Sequence, residues 1–154
     1  PGRDQKNWTE RNIMPAWGIA ETAPGEWSMY VSEHYRWPDN RLRRVVLPRH
    51  RFASVHAGAS GGEFVTRPIT FTGDRLLLNY ATSAAGSVQV ELQDTAGKPL
   101  AGFALADMAP LYGDELDATA TWKSADISSL AGKPVRLHVV LKDAEVYALR
   151  FAGK

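Results

Sequence analysis

The chain has 154 residues, 44% of them apolar and 23% charged, and its 18 basic and 17 acidic residues leave a formal charge of +1. This composition is typical of a globular protein and excludes a disordered chain, a helical membrane span and a basic nucleic-acid-binding domain. The absence of cysteine excludes disulfides and thiolate metal sites. We therefore expect neither nucleic acid nor a membrane as a partner.

The N-terminal part of the chain is rich in aromatic residues. Residues 1–46 hold four of the five tryptophans, which are Trp8, Trp17, Trp27 and Trp37. We interpret residues 1–46 as a separate aromatic-rich segment packed on a β-sandwich domain formed by residues 47–154. Within the segment, EWSMYVSE (26–33) and RLRRVVL (41–47) combine β-branched and aromatic residues and predict strands.

The stretch RLRRVVLPRHR (41–51) is the one basic cluster of the sequence. Its arginines alternate with apolar residues, so a strand would show part of this charge on one face. A solvated strand face is the simpler interpretation, and a polyanion-binding site is the alternative.

Further strands are predicted along the rest of the chain by short segments between turn residues. These segments are RFASVHA, EFVTRPITF, DRLLLNYAT and SVQVELQ, and the last places Val88, Val90 and Leu92 on one face and polar residues on the other. VRLHVVL (135–141) and EVYALRF (145–151) follow the same period of two. Because only KDA separates them, they predict a hairpin.

Turn residues recur at nearly regular spacing between these strands. AGKP occurs twice, at 96–99 and 131–134, and predicts the same type of turn in both places, since glycine allows positive φ and proline leads into a strand. SADISSLAG (124–132) predicts a short helical turn, capped by Ser124 or Asp126 and ended by Gly132. The pattern predicts an all-β fold with little helix: a two-sheet antiparallel β-sandwich of jelly-roll or concanavalin-like type.

Aromatic residues suggest a carbohydrate site, because the C–H face of a sugar ring stacks on aromatic rings while polar side chains bind its hydroxyls. Strand alternation places Trp27 toward the core. The candidate carbohydrate-binding residues lie in loops and later strands: Tyr35, Trp37, Tyr112, Trp122, His34 and Asp39.

Acidic residues suggest two other kinds of site. YGDELD gathers Asp114, Glu115 and Asp117, which are candidates for a structural Ca²⁺ site because hard cations prefer carboxylate oxygens. No other cofactor is expected. Carboxylates near Asp114 and Glu63 are the alternative for a small hydrolase, since glycoside hydrolysis uses two acidic groups. Solvated loop charges are the simplest interpretation of all four.

The sequence resembles a known family over residues 41–151, most specifically in GGEFVTRPITF, TSAAGSVQVELQD and LAGKPVRLHVVLKDAEVYALRF. It resembles the C-terminal β-sandwich region of bacterial proteins related to the invertase and levanase glycoside hydrolases, which join a five-bladed propeller to a β-sandwich. Residues 14–47 look like the end of a last propeller blade. In that family the active-site carboxylates lie in the propeller, so the resemblance assigns no catalytic residue to this chain.

The resemblance implies a carbohydrate-associated role. We expect a non-catalytic module that binds a polysaccharide or oligosaccharide through exposed aromatic residues, or that supports the catalytic propeller domain of a glycoside hydrolase. The small hydrolase is the alternative function. A carbohydrate-associated module is expected to be secreted or periplasmic. The polar start PGRDQKNWTER does not read as a signal peptide, so we expect the signal peptide not to be present in this chain.

Overall fold

The computed structural model describes residues 4–9 and 14–153, apart from the side chains of Trp8 and Thr9. It divides the chain into two compact units, unit 1 ending at Arg49 and unit 2 beginning at His50. Within the described ranges, unit 1 has a four-stranded sheet, unit 2 a five-stranded sheet, and all pairings are antiparallel. The predicted all-β fold with two antiparallel sheets and little helix is confirmed, and the open sheets are consistent with a β-sandwich.

Unit 1 is organised around one central strand. Its elements are α1 (Gln5–Thr9), β1 (Met14–Pro15), β2 (Ala20–Ala23), β3 (Glu26–Glu33) and β4 (Arg41–Pro48). Strand β4 follows one edge of β3 in continuous register from Glu26↔Pro48 to Glu33↔Arg41, while β1 and β2 share its other edge. The predicted strands at 26–33 and 41–47 are confirmed. The boundary predicted after residue 46 falls inside β4.

Unit 2 is organised around two long strands. Its strands are β5 (Val55–Ala57), β6 (Gly62–Val65), β7 (Arg75–Gln93), β8 (Asp114–Ala120) and β9 (Arg136–Ala152). Strand β9 pairs with β7 on one side and with β5 and β6 on the other, and β8 covers the free edge of β7. Two short 3₁₀ turns, Leu105–Asp107 and Ile127–Leu130, lie in the connections. No helix in the described ranges is long and apolar enough to cross a membrane.

The predicted hairpin of VRLHVVL and EVYALRF is wrong, because both segments belong to the single strand β9. The pairing with β7 runs from Ser87↔Lys142 to Thr82↔Ala144, so four residues of β7 oppose one residue of β9, Asp143. Asp143 has a φ of 43°. The KDA segment therefore lies at a β-bulge, formed by the extra residues of β7 opposite Asp143, and the strand bends there without reversing.

The bulges of β9 keep its apolar residues on the core side. Buried or partly buried side chains that pack in the core are Leu137, Val139 and Leu141, then Ala144 and Val146, and finally Leu149 and Phe151. The inward-facing residues change from odd to even numbers at Asp143. They change back to odd numbers at Tyr147, where the pairing with β7 shifts again. Since one extra residue inverts the faces of a strand, each bulge restores the apolar face to the core.

The alternation predicted for SVQVELQ is confirmed on its apolar side, whereas its polar side is only partly exposed to solvent. Val88, Val90 and Leu92 are at most 1% exposed. The polar residues Glu91 and Gln93 are also buried, with Gln93 Nε2 donating to Glu91 Oε1 at 2.8 Å. The backbone N–H of Leu105 donates to Glu91 Oε2 at 3.2 Å, so the connection after β7 satisfies a carboxylate that alternation alone assigns to solvent.

Both AGKP segments form turns, as predicted. Gly97 and Gly132 have φ values of 88° and 79°, which glycine adopts without a steric cost. The helical turn predicted in SADISSLAG is the 3₁₀ turn Ile127–Leu130. Asp126 caps it by accepting a hydrogen bond from the backbone N–H of Ser128, which selects Asp126 over Ser124 as the cap.

The bend of the long strands depends on the absence of a side chain at Gly86. A Cβ atom added there would lie 2.2 Å from the carbonyl oxygen of Asp143. We predict that Gly86→Ala lowers the free energy of unfolding by about 1–3 kcal/mol, because the two backbones must separate. Urea denaturation monitored by circular dichroism measures this loss.

Gly58→Ala is the matched control, because a Cβ atom at Gly58 meets nothing within 4 Å. We expect its free energy of unfolding to stay within about 0.5 kcal/mol of the parent value. Equal stability of the Gly86 and Gly58 variants would contradict the close approach of β7 and β9.

Candidate functional site

The loop between β3 and β4, residues 34–40, carries two of the predicted aromatic candidates. Two successive turns shape it: the backbone N–H of Trp37 donates to the carbonyl of His34 at 2.9 Å, and that of Asn40 to the carbonyl of Trp37 at 3.0 Å. His34 and Arg36 have φ values of 54° and 70°, a region that residues with a side chain rarely adopt. Such backbone is concentrated at functional sites, which directs attention to this loop.

The His34 side chain ties this loop to helix α1. His34 is 4% exposed, and its Nε2 and Nδ1 atoms lie 2.7 Å from Asp4 Oδ2 and 2.9 Å from Asp39 Oδ2. Asp4 Oδ1 also accepts a hydrogen bond from the backbone N–H of Lys6, and Asn7 Oδ1 accepts one from the backbone N–H of His34. The first turn of the helix and the loop are therefore held together by buried and partly buried polar contacts.

The two carboxylates favour the protonated form of His34. A ring with a carboxylate at each nitrogen uses both nitrogens as donors only when it is charged. The hydrogen bond to Asp4 is the main cause that raises the pKa of His34 above its ordinary value of 6.5. The hydrogen bond from Lys6, followed by that from His34, lowers the pKa of Asp39 to about 2, and the hydrogen bond from His34 lowers that of Asp4.

Tyr35 and Trp37 are both partly exposed on this loop, at 40% and 38%. Lys6 Nζ lies 5.6 Å from the centroid of the Trp37 ring and 2.7 Å from Asp39 Oδ2. The cation-π contact and the ion pair therefore restrain the indole from one side. The loop therefore presents two aromatic side chains, and the contacts described above restrict the conformation of the backbone that carries them.

Three charged residues lie at the base of the loop. Glu33, the last residue of β3, has a side chain that is 0% exposed and accepts hydrogen bonds from Arg41 Nε and Arg43 Nη1, each at 2.9 Å. The hydrogen bond from Arg43 is the main cause that lowers the pKa of Glu33. Both arginine side chains remain about half exposed, at 51% and 53%.

Other arginines of the basic stretch are paired with carboxylates in their own units. Arg44 forms an ion pair with Glu26 and donates to Ser28 Oγ at 2.9 Å. The side chain of Arg51 is 9% exposed and lies 2.5 Å from Asp114 Oδ1. It also lies over the Tyr147 ring, at 4.6 Å from the centroid. These contacts disperse the charge of the stretch, which the sequence pattern presents as one cluster.

The candidates of unit 2 have different environments. Tyr112 is 62% exposed, and its carbonyl accepts a hydrogen bond from the Tyr80 hydroxyl at 2.8 Å. Trp122 is 7% exposed, donates from Nε1 to the carbonyl of Val90 and packs edge-on against Phe103 at 5.3 Å between centroids. Trp122 is therefore a core residue, and its prediction as a carbohydrate contact is corrected. Its indole N–H is satisfied inside the protein by the carbonyl of Val90.

His34 and Asp39 also change their role. Sequence reasoning proposed them as partners for sugar hydroxyls, but the ring nitrogens of His34 are both engaged by carboxylates and the side chain is 6% exposed. Asp39 Oδ2 is shared by Lys6 and His34. They are best described as groups that position the loop beneath Tyr35 and Trp37.

The acidic candidates do not converge on one point. In strand β8, Asp114 and Glu115 point to opposite faces because consecutive residues of a strand alternate. Asp114 is bound by Arg51 and Asp117 by Arg150, the latter at 2.9 Å. The described residues contain no group of three or more histidine, cysteine or acidic side chains that could hold a metal ion. The calcium site at Asp114, Glu115 and Asp117 thus has no geometric support.

The pair needed for a hydrolase is also separated. Glu63 lies on β6 and contacts His138 Nε2 at 3.0 Å, whereas Asp114 lies on β8, which is separated from β6 by the two strands β9 and β7. A pocket of about 190 Å³ in unit 2 has an apolar lining with Leu77 and Leu149, but its one carboxylate, Asp117, is paired with Arg150. Glycoside hydrolysis requires two opposed acidic groups, and no such pair is formed by these residues.

Comparison of the chain with protein-family models, with curated proteins and with solved structures gives no match. The resemblance to the β-sandwich region of the invertase and levanase relatives therefore stays a prediction.

Sequence reasoning missed the residues that hold the loop in place. Asp4 and Lys6 lie about thirty positions before the loop, in a stretch whose polar character gave no sign of a long-range contact. The one local signal was the pattern of an N-cap, since Asp4 accepts from the backbone N–H two residues later. Such a cap predicts where a helix begins and does not predict what the other carboxylate oxygen contacts.

The contact between α1 and the loop depends on pH. The pKa of His34 is raised, so the stabilisation that His34 contributes to this contact is complete below pH 6.5. It is lost as the pH rises through the raised pKa. The pKa values of Asp4 and Asp39 are lowered, so the stabilisation that these carboxylates contribute is complete above pH 3.8. It is lost as the pH falls through the lowered pKa values. With Lys6 and Arg41 as the other charges nearby, we predict that the contact is strongest between about pH 4 and 6.5.

Histidine-selective NMR measures this directly. We expect the His34 imidazole to titrate above 6.5, and Asp39→Asn to shift its pKa back toward that value because one of its two carboxylates is removed. Glu63→Gln is the control, because it removes a carboxylate that contacts His138 in unit 2 and should leave the titration of His34 unchanged. Titration of His34 at or below 6.5 would contradict the bracketing by two carboxylates.

The corrected role of Trp122 is also testable. We predict that Trp122→Phe lowers the free energy of unfolding by about 1–3 kcal/mol, because it leaves the Val90 carbonyl without its indole donor and removes buried volume. Trp17→Phe is the control, since Trp17 is fully exposed, at 103%. Chemical denaturation of both variants gives the two values, and equal stability would place Trp122 outside the core.

Proposed function

We propose that this protein is a non-catalytic, carbohydrate-associated module that binds a polysaccharide through Tyr35 and Trp37. The observation that carries the proposal is the pair of partly exposed aromatic side chains on a loop fixed by a buried histidine. A sugar ring stacks its C–H face on such rings, and a loop that is already ordered loses little conformational entropy on binding.

The choice of this loop over other aromatic positions rests on its local structure. Trp17 is more exposed than Trp37, but no contact comparable to that of Lys6 with the Trp37 ring is found for it among the described residues. In unit 2 the exposed rings of Phe52 and Tyr112, at 56% and 62%, lie on segments that are distant in the sequence. Two aromatic side chains separated by one residue give a sugar chain adjacent contacts, which is the arrangement that extended polysaccharides need.

The proposal carries a location and a partner with it. Because the polysaccharides that such modules bind lie outside the cytoplasm, the module is secreted or periplasmic. In the other version of the same function, the module supports the catalytic domain of a glycoside hydrolase without binding sugar itself. The small hydrolase is not proposed further, because its acidic residues are each bound by separate basic side chains.

Affinity electrophoresis in gels that contain a panel of plant and microbial polysaccharides tests the binding. We expect retardation by at least one of them, and a loss of about 5- to 30-fold in affinity for Trp37→Ala and for Tyr35→Ala, the equivalent of about 1–2 kcal/mol for a lost ring. Calorimetry with the retarding polysaccharide gives the affinities.

Trp17→Ala is the matched control, because it removes an exposed indole of the same unit outside the loop. Its affinity should equal that of the parent protein. A panel with no retardation would reject the binding function and leave the supporting role, and release of reducing ends from any polysaccharide would reject the non-catalytic assignment.

A further inference from the structure

Beside the aromatic loop, two arginines share one carboxylate. Arg41 and Arg43 each donate to the fully buried Glu33, at 2.9 Å, while about half of each arginine side chain is exposed. Two positive charges against one negative charge leave an excess of +1 at this point. Glu33 takes one donor nitrogen of each guanidinium, and a guanidinium carries five N–H groups, so both half-exposed arginines keep donors beyond those that the described residues engage.

The buried carboxylate also fixes the geometry of these donors. Arg41 and Arg43 are two residues apart on β4, so both side chains leave the same face of the sheet as Glu33, with which Arg41 is paired in register. A buried charge must keep its partners, because an unpaired carboxylate in the interior is costly. The two guanidinium groups are therefore ordered before any ligand arrives.

The arginine pair and the aromatic loop are contiguous. Glu33 directly precedes the loop and Arg41 directly follows it. Arg41 is also close enough to Asp4 for its charge to lower the pKa of that carboxyl group, and Asp4 is in contact with His34 of the loop. One region of unit 1 therefore combines two aromatic rings with an ordered pair of cations.

We propose that the polysaccharide bound by this module is acidic, with an anionic group meeting Arg41 and Arg43 while neighbouring sugar rings contact Tyr35 and Trp37. This inference rests on the proposed function. Guanidinium groups bind carboxylates and sulfates through paired, charge-assisted hydrogen bonds, whereas a neutral sugar has no group that requires an excess cation.

A nucleic acid would also present anions, but the charges elsewhere favour a glycan. Nucleic-acid-binding surfaces are extended and basic, and the whole chain carries a formal charge of only +1. Arg44, the next arginine of β4, is already paired with Glu26, so the excess charge stays at one place. A single site of excess positive charge at Arg41 and Arg43 matches a polymer with widely spaced anions better than the continuous row of phosphates of a nucleic acid.

The decisive comparison uses the unaltered protein and matched polymers. Polygalacturonate and alginate are compared with their esters, which keep the backbone and remove the charge, and dextran sulfate is compared with dextran. We expect at least tenfold tighter binding of an acidic polymer than of its neutral form, in 50 mM salt. Preference for the polyuronates identifies a carboxylate as the anion, and preference for dextran sulfate identifies a sulfate.

Variants then assign the preference to the arginine pair. Arg41→Gln with Arg43→Gln should remove the discrimination between acidic and neutral polymer, while Arg44→Gln on the same strand should keep it. If the double glutamine variant does not fold, Arg41→Lys with Arg43→Lys keeps the charge beside Glu33 and should weaken the preference, because lysine lacks the paired donors.

The possible outcomes distinguish a failure of this inference from a failure of the proposed polysaccharide-binding function. Equal binding of acidic and neutral polymers would overturn the inference and leave the polysaccharide-binding function in place. Failure to bind any polymer of either kind would overturn both. Tighter binding of a single-stranded oligonucleotide than of any glycan, lost in the same arginine variants, would also overturn the inference and assign the pair to phosphate.

Discussion

The pairing of β7 with β9 is the constraint on which unit 2 depends. These strands run side by side from Arg75↔Ala152 to Gln93↔Arg136, and every other strand of the sheet pairs with one of them. Strands of this length seldom stay straight, and here both bend where Ser83–Gly86 oppose Asp143. The bend brings apolar residues from both halves of each strand into one core, and the backbones can approach at the bend because Gly86 has no side chain.

Unit 1 is stabilised in a different way. Two of its buried side chains are ionisable: His34 lies between two carboxylates, and Glu33 lies between two arginines. Each buried charge has partners of opposite sign on both sides, which is the condition under which such groups are tolerated in a protein interior. The result is a loop whose shape is set by electrostatic contacts, with aromatic side chains displayed on top of it.

Much of the fold was readable from the sequence, because period-two alternation is a local property. Strands β3 and β4 were predicted almost to the residue, and the inward residues Val88, Val90 and Leu92 were identified correctly. The predicted hairpin at Lys142–Ala144 was wrong because a bulge, like a turn, can place a short polar residue such as Asp143, with its φ of 43°, between two alternating segments. The distinction lies in what the partner strand does, and Ser83–Gly86 of β7 are distant in sequence.

The candidate site was harder to predict for the same reason. Tyr35 and Trp37 were found because loop aromatics are conspicuous, but the burial of Trp122 depends on its contacts with Val90 and Phe103, which the local pattern around it does not encode. The role of His34 depends on Asp4, about thirty residues earlier. Long-range polar contacts leave no periodic signal, so the groups that support a site are less visible than those that face solvent.

The arginines of β4 affect the association of one copy of the protein with another. In the described part of the chain β4 pairs only with β3, so its other side is an open sheet edge, the kind of surface that templates the addition of strands from neighbouring molecules. Arg41 and Arg43, which share the single carboxylate of Glu33, leave an excess of positive charge beside this edge, so two such edges repel one another. The strand that orders Glu33 thereby also protects the protein against edge-to-edge aggregation.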